Sequence, residues 1–199
     1  MTYLAHIFMP LSPQQVYEQS TDCQRILITG HGRDLVAHIM IEVLKFNNRK
    51  FSMVVDGDGT FNLDAPVAII RDKEIANLTH YRHHVVLLTG PLENSEASFY
   101  ESLLNATPKG GIVLFPESDA TLKSLGSKER ADVQAIPYKT ISHEEKNGQV
   151  TLVTSTNEKF PIQLNGKPTL ELLGAAKEVL KKIGISSGQF YRGAANIRA

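Results

Sequence analysis

The residues best suited to chemistry lie in a short glycine-containing turn near the start of the chain. Gly30, His31, Gly32, Arg33 and Asp34 directly follow an apolar run and directly precede a segment with helical periodicity. Glycines let backbone N–H groups approach an anion, the helix dipole adds attraction, and an arginine pairs well with phosphate. The turn is therefore a candidate phosphate-binding loop, although the motif G-x-x-x-x-G-K-[ST] is absent.

Asp34 stands where a nucleotide-binding loop would carry a hydroxyl group for Mg²⁺. Like charges about 4 Å apart repel by about 1 kcal/mol in water and about 4 kcal/mol at an effective dielectric constant of about 20. A Mg²⁺ ion could reverse that repulsion, since aspartate is a good ligand for it. In the alternative interpretation Asp34 is the helix N-cap, and its carboxylate accepts the free N–H groups. The residue types favour the N-cap and leave nucleotide binding open.

The elements that must position this turn alternate between strands and helices. Apolar runs predict strands over 25–29, 51–55, 67–70, 85–89 and 112–115. Helical spacing predicts helices over 35–44, 95–105 (with Ser95 as N-cap) and 119–125. This alternation indicates right-handed crossovers and an α/β fold, with a doubly wound, mainly parallel sheet of the P-loop type. Ligands bind such sheets at the carboxyl ends of the strands, where the turn lies.

The pattern changes beyond residue 128. Strand-like runs over 133–137, 150–154 and 159–164, with a hairpin turn at Asn147-Gly148, predict a small, mostly antiparallel β extension over 130–165. Helices are predicted over 169–196. Residues 1–23 are expected to form a short N-terminal segment and 24–199 a single domain.

Composition excludes several classes of function. The 199 residues carry 21 Lys and Arg against 21 Asp and Glu, which argues against a generic nucleic-acid or anionic-membrane binder. No apolar run reaches the ~18 residues that cross a bilayer, and the N-terminus lacks a signal-peptide pattern. The single cysteine, Cys23, excludes an intramolecular disulfide framework. We expect a cytoplasmic protein without nucleic-acid or membrane partners.

Two further groups of residues are weighed as metal sites. His80, His83 and His84 lie close in sequence, but neighbouring strand positions point to opposite faces and Arg82 opposes a cation. We predict a solvated loop there. The run from Asp56 to Gly59 lacks the glutamate of a calcium loop and is predicted to be a tight turn.

Several stretches resemble the Mur ligases, the ATP-dependent amide-forming enzymes of peptidoglycan synthesis. RILITGHGRD (25–34) is similar to the strand and phosphate loop of that family, which reads roughly ITGTHGKTTT. HHVVLLTGPLEN (83–94) is similar to the strand with the TN-x-x-x-DH element, and 160–176 to the G-x-H-N-x-x-N-A-L-A-A element. The resemblance covers 24–199, the central ATPase domain alone, and is greatest to the branch that adds alanine to UDP-N-acetylmuramate or recycles murein tripeptide.

The resemblance implies a site and its cofactors. It assigns phosphate binding to the turn from Gly30 to Asp34 and metal binding to Asp72, Glu74 and Glu93. ATP and Mg²⁺ are the implied cofactors if the nucleotide site is retained. The implied setting is a bacterial cell wall, with a cell-wall enzyme or a second copy of the chain as partner.

The chemical positions depart from the family pattern. Arg33 replaces the lysine, Asp34 the Mg²⁺-binding threonine, Glu93-Asn94 the Asp-His pair, Pro168-Thr169 the His-Asn pair, and Leu172 the second asparagine. Folding needs pattern and volume, whereas phosphoryl transfer needs charge placement. The combination indicates a fold kept without its chemistry, so no catalytic residue is predicted.

Three functions follow. The first is a non-catalytic relative that binds a ligand or partner without ATP turnover. The second is a divergent ATP-dependent acid–amino acid ligase that takes substrate domains from another chain. The third is an assembly module with a vestigial cleft. The departures at the chemical positions favour the first.

Overall fold

A seven-stranded sheet forms the centre of the computed structural model, which describes residues 10–90, 97–128 and 130–198. Its spatial order is β3-β2-β4-β1-β5-β6-β7, and every neighbouring pair is parallel except the β2–β3 hairpin. The strands are β1 Gln24–Thr29, β2 Ser52–Val55, β3 Asp58–Thr60, β4 Val67–Arg71, β5 Val85–Leu88, β6 Ile112–Pro116 and β7 Gln134–Tyr138. The predicted α/β fold with a mainly parallel sheet is confirmed.

Helices cover both faces of this sheet. They are α1 Pro13–Gln19, α2 Arg33–Phe46, α3 Ile75–Leu78, α4 Ala97–Asn105, α5 Ala120–Gly126, α6 Lys167–Lys182 and α7 Ser187–Ala195. Alternation along β1 explains the two layers: Ile26 and Ile28 pack with α2, α6 and α7, whereas Leu27 packs with α1, α4 and α5. The central strand is therefore buried on both sides and reads as a continuous apolar run. No described helix combines the length and apolarity that a bilayer crossing requires.

The smaller sheet agrees with the predicted hairpin. Its strands are β8 His143–Lys146, β9 Gln149–Val153 and β10 Lys159–Ile162, all antiparallel, in the order β10-β9-β8. Asn147 and Gly148 both have positive φ angles, 53° and 75°, as a two-residue hairpin turn requires. Val150, Leu152 and Ile162 of this sheet belong to the same core cluster as Ile26 of β1.

One strand was assigned to the wrong sheet. The run over 133–137 is predicted as part of the antiparallel extension, but β7 lies parallel to β6 at the edge of the large sheet. An edge strand has one unpaired edge and tolerates proline. In β7, Gln134, Ala135 and Pro137 are exposed, so the strand lacks the continuous apolar run of a buried parallel strand. The extension therefore begins after β7.

Elements without a counterpart among the predicted helices and strands include α1, β3 and α3. Residues 56–59 form the predicted tight turn, and Asp58 and Gly59 also belong to β3, which pairs with β2 in an antiparallel hairpin. Helix α1 begins with a capping box, in which Ser12 and Gln15 cap each other's backbone N–H groups. Its Val16 is buried in the same cluster as Leu27, so α1 packs on the large sheet.

Candidate functional site

The glycine turn lies in a concavity at the carboxyl ends of the parallel strands. β1 ends at Thr29 and α2 begins at Arg33, with β4 and β5 on either side of β1. The structure brings the five predicted turn residues together around about 400 Å³ of space, and Leu35 and Leu172 complete the wall. We call residues 30–34 the strand-end loop. Its position is the one at which sheets of this type bind ligands.

Gly30 and Thr89 fix the shape of the strand-end loop. Gly30 has a φ angle of +106°, and a Cβ atom there would overlap the carbonyl oxygen of Gly90. The Thr89 hydroxyl donates to the Thr29 carbonyl oxygen at 3.0 Å and accepts from the Gly32 amide at 3.2 Å. Thr89 therefore uses one of the backbone N–H groups that would otherwise face an anion.

Thr89 is a site residue that sequence reasoning missed. A signal for it exists, because Thr-Gly follows the apolar run both at the end of β1 (Thr29-Gly30) and at the end of β5 (Thr89-Gly90). Register pairs Thr29 with Leu88 on adjacent strands, so the two Thr-Gly steps meet at the same edge.

Asp34 is not the N-cap of α2, and that interpretation is wrong. The N-cap is Gly32, which provides no side-chain hydrogen bond, and Asp34 lies inside the first helical turn. Its carboxylate accepts a hydrogen bond from the Arg71 guanidinium, at the end of β4, and lies 3.8 Å from Arg33 Nε. An arginine on a neighbouring strand competes successfully with the helix backbone for this carboxylate.

The net charge at the strand-end loop therefore depends on Arg33 and Arg71 as well as on Asp34. Two guanidinium groups, Arg33 and Arg71, share one carboxylate, which leaves a formal charge of +1 with His31 neutral. Asp34 is 69% exposed, so water screens the cluster and each ion pair is worth at most about 1 kcal/mol. The net positive charge of the strand-end loop attracts a compact anion. To reach the two arginines, the anion must displace the Asp34 carboxylate or bind next to it.

Leu172 forms an apolar wall of the same concavity. It lies on α6 and is buried, and a Cβ atom added to Gly32 would come within 2.6 Å of its Cδ1. The resemblance would put an asparagine at this position, with a donor and an acceptor. Leucine provides neither, so this side of the concavity offers only van der Waals contact.

Asp72 and Glu74 differ sharply in their surroundings. Asp72 is buried, and its carboxylate accepts from the Glu74 amide and Asn77 Nδ2 at 2.8 Å and from the Tyr81 hydroxyl at 2.5 Å. Burial and the hydrogen bond to Asp72 raise the pKa of Tyr81 above its ordinary value. Asp72 therefore shapes the chain between β4 and β5, while Glu74 is exposed.

The metal assignment stays a prediction. Glu93 lies outside the described residues, as do Asn94 and Ser95. Among residues 10–90, 97–128 and 130–198, no three His, Cys, Asp or Glu side chains gather closely enough to hold a metal ion. With Asp72 satisfied by protein donors, Arg71 on Asp34 and Leu172 on the wall, the described residues do not fit a Mg²⁺–nucleotide.

The solvated-loop prediction for the histidines is wrong in part. His83 is fully buried, with Nε2 lying 3.0 Å from Thr107 Oγ1, and His84 Nδ1 accepts from the Arg25 amide at 3.0 Å. Burial lowers the pKa of His83 to about 4, and His84 and Arg25 act in the same direction. Only His80 is exposed as predicted. His83 and His84 directly precede the buried strand β5, so His83 is buried and His84 is partly buried.

Known structures share this fold at low sequence identity. No protein-family model and no curated protein matches the sequence. The ligase from Neisseria meningitides described as UDP-N-acetylmuramate:L-alanyl-gamma-D-glutamyl-meso-diaminopimelate ligase is 12% identical, with a TM-score of 0.72 over 94% of this chain and 70% of that chain. MurF from Acinetobacter baumannii is 12% identical, with a TM-score of 0.73 over 94% and 48%. Folylpolyglutamate synthetase from Lactobacillus casei is 10% identical, with a TM-score of 0.67 over 92% and 66%.

These likenesses concern the fold. The chain has the architecture of the Mur ligase central domain, as its sequence resemblance implies. It spans about half the length of several of these ligases, for example 50% of the murein peptide ligase from Psychrobacter arcticus 273-4, which is 15% identical with a TM-score of 0.69.

Proposed function

We propose that the chain is a non-catalytic relative of the Mur ligases, a binding domain linked to cell-wall metabolism that does not turn over ATP. Its strand-end loop takes a compact anionic group of a ligand or partner. The observation that carries this proposal is the cluster of Arg33, Asp34 and Arg71, in which a carboxylate is held between two cations at the mouth of the loop. The partner is a cell-wall enzyme or a second copy of the chain.

The charge balance of this cluster supports a small anion over a nucleotide triphosphate. A triphosphate brings several negative charges and needs a metal ion and a lysine to balance them. The loop has one net positive charge, a fixed carboxylate and an apolar wall at Leu172. A single carboxylate or phosphate group matches the two guanidinium groups better.

Calorimetric titration of the full chain tests the proposal. We expect inorganic phosphate to bind weakly and saturably, Mg-ATP to bind no more tightly than phosphate, and Arg71→Gln to weaken both signals. Lys50→Gln is the matched control, because it also removes a cation paired with an aspartate, at 3.3 Å from Asp64. Mg-ATP binding in the micromolar range that needs Arg33 would contradict the proposal.

A divergent ATP-dependent ligase is the second candidate. The geometry of Gly30, which still permits only glycine, favours it, because a phosphate loop needs that close backbone turn. The neighbours named as ligases carry further domains, and this candidate would need equivalent substrate domains from another chain. Phosphate release that depends on a murein precursor would favour it over a binding domain.

A further inference from the structure

A second concavity lies away from the strand-end loop, between α1 and the chain that joins α3 to β5. It encloses about 350 Å³ and shares no lining residue with the first. Ser12 and Gln14 line one side of it, and Asn77, Thr79, His80 and Arg82 the other. We propose that this concavity binds a compact oxyanion, a phosphate or carboxylate group, through Arg82.

Arg82 has an unusual backbone conformation, and its side chain lies against an aromatic ring. Its φ angle is +49°, in the left-handed region that non-glycine residues rarely adopt. The guanidinium carbon lies 4.3 Å from the centroid of the Tyr17 ring, and the Arg82 carbonyl oxygen accepts from Arg25 Nε at 2.9 Å. Strained residues of this kind concentrate at functional sites. The contact with the Tyr17 ring orients the guanidinium of this exposed residue, which lines the concavity.

The same aromatic ring carries a second cation. The Arg25 guanidinium carbon lies 4.9 Å from the Tyr17 centroid, and Arg25 is buried. Its guanidinium donates to the Ser20 carbonyl oxygen at 2.8 Å and to the Arg82 carbonyl oxygen, and His84 Nε2 lies 3.3 Å from Nη2; none of these groups carries negative charge. Burial, with a contribution from Arg82, lowers the pKa of Arg25.

Among the described residues, the positive charge of Arg25 and Arg82 has no direct counterion. Within residues 10–90, 97–128 and 130–198, no carboxylate lies within 4 Å of Arg25 or Arg82. Two carboxylates contact lining residues: Glu18 accepts from Gln14 at 2.7 Å and Asp72 accepts from Asn77 at 2.8 Å, and neither is paired with an arginine. A bound oxyanion would supply the missing negative charge.

Two hydroxyl groups and an imidazole line the same concavity as Arg82. The Ser12 oxygen accepts from the Gln15 amide at 3.3 Å, so its own proton is available to donate. Thr79 contributes a hydroxyl and His80 an exposed imidazole on the opposite side. Arginine with hydroxyl and imidazole donors is a combination that suits an oxyanion rather than a metal ion or an apolar group.

Titration of the full chain with sodium phosphate and, separately, sodium acetate tests the proposal, with ionic strength held constant by sodium chloride. The readout is the shift of the backbone amide NMR signals of Thr79 and His80, which line this concavity and not the strand-end loop. We expect a saturable shift of both signals with at least one anion. Phosphate alone would identify a phosphoryl ligand, and acetate alone a carboxylate.

Two variants of Arg82 separate binding from folding. Arg82→Gln should weaken the anion response at least about tenfold. Arg82→Gly should do the same while folding at least as stably, because glycine accepts a positive φ without strain. Arg49→Gln, which removes an exposed arginine whose Nη2 donates to Gly184, should leave the response unchanged. Arg33→Gln should weaken phosphate binding in the strand-end loop but leave the shifts of Thr79 and His80 unchanged, because Arg33 does not line this concavity.

Three results would overturn the proposal. One is the absence of a saturable effect with either anion. Another is a full response in both Arg82 variants. The third is a response lost in Arg33→Gln and retained in Arg82→Gln, which would place the anion in the strand-end loop.

Discussion

Asp34 and Arg71 lie 37 positions apart in the chain but share an ion pair at the mouth of the strand-end loop. The sequence shows both residues, yet nothing in it states that β4 lies directly beside β1. The N-cap interpretation therefore failed on a contact that only the sheet order creates. The repulsion assigned to Asp34 from the sequence is likewise softened by two cations that the fold supplies.

Asp34→Asn tests this charge arrangement. The change keeps the size of the side chain and releases Arg33 and Arg71, so affinity for inorganic phosphate should rise several-fold in calorimetric titration. Stability should change by less than about 1 kcal/mol, since the pair is exposed. Asp64→Asn, which breaks the exposed pair with Lys50, should leave phosphate affinity as it was. An unchanged affinity in Asp34→Asn would show that Asp34 does not govern the loop.

Gly30→Ala tests the backbone of the same loop. Positive φ costs an alanine about 1 kcal/mol, and the overlap of its Cβ with the Gly90 carbonyl oxygen should raise the total loss of stability to about 3 kcal/mol or more. Gly110→Ala is the matched control, with φ +76° and no atom within 4 Å of the added Cβ. It should cost only about 1 kcal/mol in urea denaturation. Equal losses would mean that the Gly90 contact has no effect.

The elements differ in how well the sequence predicts them. β1 and β5 are buried on both faces, so their apolar runs are unmistakable, and the hairpin at Asn147-Gly148 has a turn that few other residues permit. β7 is an edge strand with a proline, and its pattern resembles that of the antiparallel strands that follow. The burial of His83 was missed because its partner, Thr107, comes from the end of α4, 24 residues away.

The burial of His83, which precedes β5, beside Thr107, which follows α4, makes stability depend on pH. The pKa of His83 is about 4 in the folded protein against 6.5 ordinarily, so the unfolded chain binds more protons between these values. The free energy of unfolding should therefore fall as the pH is lowered from about 6.5 towards 4. Urea denaturation at several pH values measures the slope.

His83→Gln should reduce that slope, and His80→Gln, at an exposed position, should not change it. The His83→Gln protein is expected to be less stable at pH 7, because a buried side chain has been replaced. The dependence of the free energy of unfolding on pH, rather than its value at one pH, therefore tests the role of His83. An identical slope in the wild type and in His83→Gln would contradict the assignment.

The whole molecule joins its two sheets through one core. Leu152 of β9 packs in the cluster that also holds Ile26 of β1 and Leu173 of α6. Leu152→Ala should lower the free energy of unfolding by about 2–5 kcal/mol and weaken hydrogen-exchange protection in both sheets together. Glu145→Ala, on the exposed strand β8, should do neither. Loss of protection confined to the small sheet would instead make it a separate unit.

At this scale the sequence predicts the architecture well and the chemistry poorly. Strand and helix patterns depend on local periodicity, which a single sequence contains. The site depends on which strand ends meet, and on residues such as Arg71, Thr89 and Leu172 that come from three different elements. Similar folds at 10–15% identity have the same limit, because likeness at this level shows the fold alone.

Turnover of ATP is the most direct measurement of whether this scaffold has kept its chemistry. Purified full chain, with Mg-ATP and with and without a UDP-N-acetylmuramoyl peptide, should release inorganic phosphate no faster than the Arg33→Gln variant or buffer. Phosphate release that the murein precursor stimulates and that Arg33→Gln abolishes would contradict the account and make the chain an enzyme.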